Sequence, residues 1–137
     1  MSDFKVTYKG NFSTEMVHLE SGQAIITDAP KDNQGLGRTF SPTDLIASSL
    51  ASCMITIIAI AAKTHKINII NLESNIKKTM SKTLPRKISK IDVELNVEGE
   101  FDEKSKLIIE RSAKNCPVHH SLSKDMIINV NIKYITI

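Results

Sequence analysis

A chain of 137 residues is one domain in length and long enough to bury a core of its own. Hydrophobic residues make up 41% of it but aromatic residues only 4%, with no tryptophan, so that core must be aliphatic. The net charge of +3 comes from scattered basic residues, which excludes the basic stripe and the aromatic platforms of a nucleic-acid binder. Phe4, Val6 and Tyr8 alternate with Lys5, Thr7 and Lys9, the pattern of a half-buried strand. Gly10-Asn11 marks a turn, and residues 14–20 and 23–28 read as two further strands joined by Glu20-Ser21-Gly22, an antiparallel meander. Residues 29–37 are a loop rich in Pro, Asp, Asn and Gly that delivers Arg38-Thr39-Phe40 to the start of a helix.

That helix organises the chain. Ser41 is suited to cap it, Pro42 to occupy its first position, and Asp44 to close a short-armed capping box beside the positive helix end. Residues 45–62 are small and apolar, with Cys53 near the middle, and a helix apolar on nearly all sides is expected to be buried on nearly all sides. Its length approaches that of a membrane span. Asp44 at its start and the hydroxyls of Ser48, Ser49, Ser52 and Thr56 argue instead for the core of a soluble domain with no membrane partner.

Lys63, His65 and Lys66 suit a helix C-terminus. Residues 72–82 read as a strand with weak alternation, and Leu84-Pro85-Arg86 as a turn. Ile91, Val93, Leu95 and Val97 alternate cleanly with Asp92, Glu94, Asn96 and Glu98, the strongest strand signal in the chain, which Gly99 ends. Asp102 caps a second helix whose apolar positions, Leu107, Ile108 and Ala113, are sparse. It stops at Asn115-Cys116-Pro117, and a short helix restarts with Pro117 first and Cys116 as its cap. Ile128, Val130, Ile132 and Tyr134 alternate in a final strand. Residues 1–137 are therefore expected to form a single α+β domain, with strand runs segregated around two helices.

Met1-Ser2-Asp3-Phe4-Lys5 lacks the basic and apolar regions of a signal peptide, so a cytoplasmic protein with reduced thiols is expected. Cys53 and Cys116 are far apart in sequence, and their spacing predicts no contact. If they approach, one thiolate can attack an O–O bond and the other can resolve the sulfenic acid as a disulfide. Cys53 lies roughly three turns into its helix, beyond the useful reach of the dipole, whereas Cys116 as a cap sits on N–H groups. Local physics thus nominates Cys116 as the more acidic thiol, while Cys53 needs a cation from elsewhere, and Arg38 is available. His119 and His120 suit an exposed helical turn, an acid–base partner of Cys116, or half of a Cys116-x-x-His119 metal site with Cys53 as third ligand. An arginine on a Gly-rich loop is ordinarily solvated, and capping alone accounts for Asp44.

Ser41-Pro42-Thr43-Asp44-Leu45 and Ala51-Ser52-Cys53-Met54, followed far downstream by Cys116-Pro117-Val118, resemble the OsmC/Ohr family of osmotically inducible and organic hydroperoxide resistance proteins. The resemblance implies antiparallel sheets wrapped around two central helices, in an intertwined homodimer with active sites at the interface. It implies a thiol peroxidase that reduces organic hydroperoxides, with Cys53 as peroxidatic and Cys116 as resolving cysteine. A dithiol or lipoyl-bearing protein would be the reductant, and no cofactor or metal is expected. The family's glutamate that holds the catalytic arginine falls at Thr43 here, with Asp44 adjacent, and Arg38 is the one arginine upstream of Cys53. The residues themselves also leave open a non-catalytic protein on the same fold that holds a small apolar ligand or a metal.

Overall fold

The computed structural model describes all of residues 1–137, which divide into two units, 1–46 and 47–137. In the first unit β1 (Phe4–Gly10), β2 (Ser13–His18) and β3 (Ala24–Asp28) form the expected antiparallel meander in the order β1-β2-β3. The first turn centres on Asn11 and Phe12, both with positive φ, which suits the twist of a tight hairpin. The register places Phe4, Val6, Met16 and Ile25 on one face of this sheet. Alternation in β1 predicts that this face is half buried, yet Phe4, Val6 and Ile25 are exposed in the single chain. The buried residues of this unit are instead polar: Ser13, Thr27, Asp28 and Ser41.

The loop after β3 makes one turn of 3-10 helix over Lys31–Asn33 and then doubles back. The N–H of Gly35 reaches the Pro30 carbonyl at 2.9 Å, and that of Gly37 reaches Ala29 at 3.2 Å. A Cβ on Gly35 would run into the Ala29 carbonyl, so only glycine allows this approach. The Asp28 N–H then donates to Phe40 at 3.1 Å, which brings residues 38–40 alongside the end of β3.

Helix α1 (Pro42–His65) starts as the sequence dictates. The Asp44 N–H donates to Ser41 Oγ at 3.1 Å, and the Ser41 N–H donates to Asp44 Oδ2 at 2.8 Å, a reciprocal capping box. Its 24 residues are long and apolar enough to cross a membrane, but burial follows one stripe, through Ala47, Leu50, Ala51, Met54, Ile58 and Ala62. The expectation of burial on nearly all sides does not hold within one chain, because a helix presses only one face on its sheet; Ile60 stays 57% exposed.

In the second unit β4 (Ile69–Met80) and β5 (Ile88–Gly99) form an antiparallel hairpin, and β6 (Ile127–Thr136) completes a sheet in the order β4-β5-β6. The pairing of β5 with β6 is parallel, so this sheet is mixed where antiparallel sheets were expected. The reason is the connection. Two helices, α2 (Glu103–Lys114) and α3 (Pro117–Ser121), lie between the two strands, and such a crossover returns the chain to the level where β5 began. Central β5 points Ile91, Val93, Leu95 and Val97 into a core shared with the α1 stripe, with Ile109 and Ala113 of α2, and with Cys116.

Asp102 caps α2 by accepting the Ser105 N–H at 2.7 Å. The buried positions of α2 are Ile109 and Ala113; Leu107, which the sparse pattern suggested along with Ala113, is 45% exposed. In the run Leu107-Ile108-Ile109 only Ile109 stands four residues before Ala113 and so shares its face. The α+β class thus stands, with two three-stranded sheets and two main helices.

Candidate functional site

Cys53 and Cys116 both lie in the second unit as free thiols, Cys53 packed against the core cluster that contains Cys116 and near enough to raise its pKa. Contact that the spacing did not predict arises because each cysteine borders the same core. Cys53 follows Leu50 and Ala51 and precedes Met54 on the buried side of α1, where it is half-buried. Cys116 follows Ala113 by three residues at the end of α2 and is wholly buried.

Cys116 caps α3 as expected, with extended backbone and its Sγ accepting the His119 N–H at 3.3 Å. The acidity that the cap position suggested for Cys116 does not follow from its surroundings. Burial pushes its pKa up and outweighs the N–H groups that pull it down, and the neighbouring Cys53 raises it further. A helix of five residues gives those N–H groups little reinforcement. Cys116 is therefore a neutral thiol held against Cys53.

The two histidines fasten the break between α2 and α3. His119 Nδ1 lies 3.3 Å from the Lys114 carbonyl and donates to it, and His120 Nε2 lies 2.9 Å from Asn115 Oδ1. No group of three or more His, Cys, Asp or Glu side chains converges anywhere in the chain, so Cys116-x-x-His119 does not extend to a metal-ligand set.

Arg38 lies in the first unit, and its carboxylate partner there is one the sequence did not single out. Arg38 Nε donates to Asp28 Oδ2 at 2.8 Å and Nη2 to Oδ1 at 2.9 Å, while the Arg38 backbone N–H also reaches Oδ2 at 2.9 Å. Asp28 is fully buried, whereas the Arg38 side chain is 59% exposed. The guanidinium beside it holds the Asp28 carboxyl well below the usual carboxylate range, against the opposing effect of burial. Nothing in the alternation of β3 distinguishes Asp28 from a solvated strand end; the one hint is that a Gly-rich loop separates it from Arg38. Asp44 holds the capping position described above.

Beside the ion pair lies a groove of about 580 Å³, walled by Ile25, Ile26, Phe40 and Leu45 and carrying Arg38 and Asp28 as its charged members. It offers an apolar wall next to an oriented cation, which suits a molecule with a hydrocarbon body and an oxygen-bearing end.

Residues 34–131 match the family model of OsmC-like proteins. No curated protein matches the chain. Among solved structures it is similar to a Psychrobacter arcticus protein described as an osmotic stress induced and detoxification response protein. Identity is 44% over 97% of this chain and 96% of that one, with a TM-score of 0.91. An OsmC-like protein from Mycoplasma pneumoniae shares the fold at 22% identity and a TM-score of 0.82, over 97% of this chain and 96% of that one. An organic hydroperoxide resistance protein from Legionella pneumophila shares it at 14% identity and a TM-score of 0.77, over 95% and 94%. The family match over most of the sequence, together with the 44% identity across nearly the whole of the Psychrobacter chain, shows that this chain belongs to the OsmC/Ohr family.

Proposed function

We propose that the protein is a thiol peroxidase that reduces organic hydroperoxides to alcohols. The observation that carries this reading is that two free cysteines distant in sequence, Cys53 and Cys116, are neighbours at one core, in a chain of this family. The Cys53 thiolate attacks the outer oxygen of the hydroperoxide. The O–O bond breaks, the alkoxide takes a proton and leaves as the alcohol, and Cys53 becomes a sulfenic acid. Cys116 then attacks the Cys53 sulfur, the hydroxyl leaves as water with the thiol proton, and a disulfide closes. Two electrons from a dithiol, free or carried as a lipoyl group on a protein, reopen it. The role proposed for Arg38 is to bind the oxygen on which charge develops. The apolar groove beside Arg38 favours organic hydroperoxides over hydrogen peroxide.

The assembly proposed is a homodimer in the cytoplasm. The exposed apolar face of Phe4, Val6 and Ile25 supports it, since a second copy would remove that face from water. Nucleic acid and membrane are not among the proposed partners. The groove also favours one second reading, a non-catalytic carrier of a small apolar ligand. Turnover of cumene hydroperoxide and of hydrogen peroxide, with dihydrolipoamide as reductant, separates the two. Faster consumption of the organic substrate supports the peroxidase. A protein that consumes neither peroxide but retains an apolar probe is the carrier.

A further inference from the structure

We infer that Asp28 is the positioning residue of the peroxide-binding arginine, a role that rests on the peroxidase reading. Asp28 ends β3, and the doubled-back loop returns Arg38 to it, so the pair is built by one short stretch of chain. Both carboxylate oxygens are used, Oδ1 by Nη2 and Oδ2 by Nε and the Arg38 N–H. A planar fork bonded at two atoms cannot rotate about its stem, so the guanidinium is fixed in direction as well as in place. The carboxylate is fully buried, and the arginine side chain is largely open. One edge of the guanidinium is thus anchored, while its remaining N–H groups stay available at the groove lined by Ile26, Phe40 and Leu45. An oriented donor of this kind costs no reorganisation when charge develops on the peroxide oxygen. The helix position where the resemblance looks for the anchoring carboxylate holds Thr43, and a strand-borne carboxylate supplies the anchor here.

The test is the single-turnover rate at which cumene hydroperoxide oxidises Cys53, expressed per titrated thiol, in wild type, Asp28→Asn, Arg38→Ala, Arg38→Lys and the Asp28→Asn/Arg38→Ala double variant. Asp28→Asn is expected to lose at least about tenfold in the rate at saturating peroxide, with a smaller change in the half-saturating concentration. Arg38→Ala is expected to lose about a hundredfold, and the double variant no more than Arg38→Ala alone, because Asp28 acts through the arginine. Arg38→Lys, at a largely exposed position, tests the same claim while keeping the Asp28 carboxylate and a cation beside it. It keeps the charge but not the fork and should also fall at least about tenfold. A wild-type rate in Asp28→Asn or in Arg38→Lys, or a further large loss in the double variant, overturns the inference while leaving the peroxidase standing. A wild type that does not react with the hydroperoxide overturns the peroxidase reading and this inference with it.

Discussion

The two sheets of the molecule are held by different forces. In β4-β5-β6 the inward side chains of β5 are aliphatic and nearly unexposed, from Ile91 to Val97, and they meet Leu50, Met54 and Ile58 of α1. In β1-β2-β3 Phe4, Val6, Ile25 and Ile26 are exposed, and the buried residues are Ser13, Thr27 and Asp28, tied by hydrogen bonds. Ser13 Oγ donates to the Thr27 carbonyl at 2.7 Å, and the hydroxyls of Thr14 and Thr27 meet at 2.6 Å. The second unit holds both cysteines at an oily core, which keeps the Cys116 thiol neutral. The first unit carries a charge inside a polar network, which keeps it oriented. A burial rule read from hydrophobic residues alone describes the second and misjudges the first.

Substitutions should separate the two regions. The largest expected effect is on activity: Cys53→Ser should abolish peroxide reduction, and Cys116→Ser should stall as a Cys53 sulfenic acid, seen by mass spectrometry of the oxidised protein. Death of Cys116→Ser with oxidation of Cys53→Ser would reverse the assigned roles. Next comes packing. Leu95→Ala should lower unfolding free energy by about 2–5 kcal/mol, measured by urea denaturation, because it leaves a cavity in a closed core. Val6→Ala should cost less than about 0.5 kcal/mol if the face of β1 stays open to solvent. A larger loss that depends on protein concentration would mean that a second copy covers it.

A smaller effect is expected from pH. The Asp28 carboxyl is held well below its ordinary value of 3.8 by Arg38. A depressed carboxyl contributes stability that is fully present above its unfolded value and is lost as pH falls through its folded one. Thermal melts should therefore be insensitive to this pair from neutrality down to about pH 5 and should weaken below about pH 4. Asp28→Asn should be less stable at neutrality and show a shallower loss in acid; an unchanged acid slope would contradict the pairing. The smallest effect is at a helix end, where Ser41→Ala should cost about 1 kcal/mol by removing the acceptor of the Asp44 N–H.

Much of the fold was legible because local chemistry and tertiary structure agree. Ser41-Pro42 with Asp44, Asp102, and Cys116-Pro117 each set a helix start that the structure keeps. The alternation of β5 survived because that strand is central, with one face on the core. What was not legible depends on contacts between distant segments. The direction of β6 is fixed by where α2 and α3 deliver the chain, which no period in the strand records. Asp28 looks like any strand-ending polar residue until the loop closes on it. Cys116 was misjudged for the same reason, since a cap position is a local fact and burial is not. The selection of Ile109 over Leu107 turns on one place in a run of three apolar residues.

The measurement that tests the central claim most directly is the titration of free thiols before and after one equivalent of cumene hydroperoxide, without reductant, with the intact mass recorded. The account predicts that both thiols disappear together, that the mass falls by two hydrogens, and that dihydrolipoamide restores both. Two thiols that remain free after exposure to the hydroperoxide would contradict it.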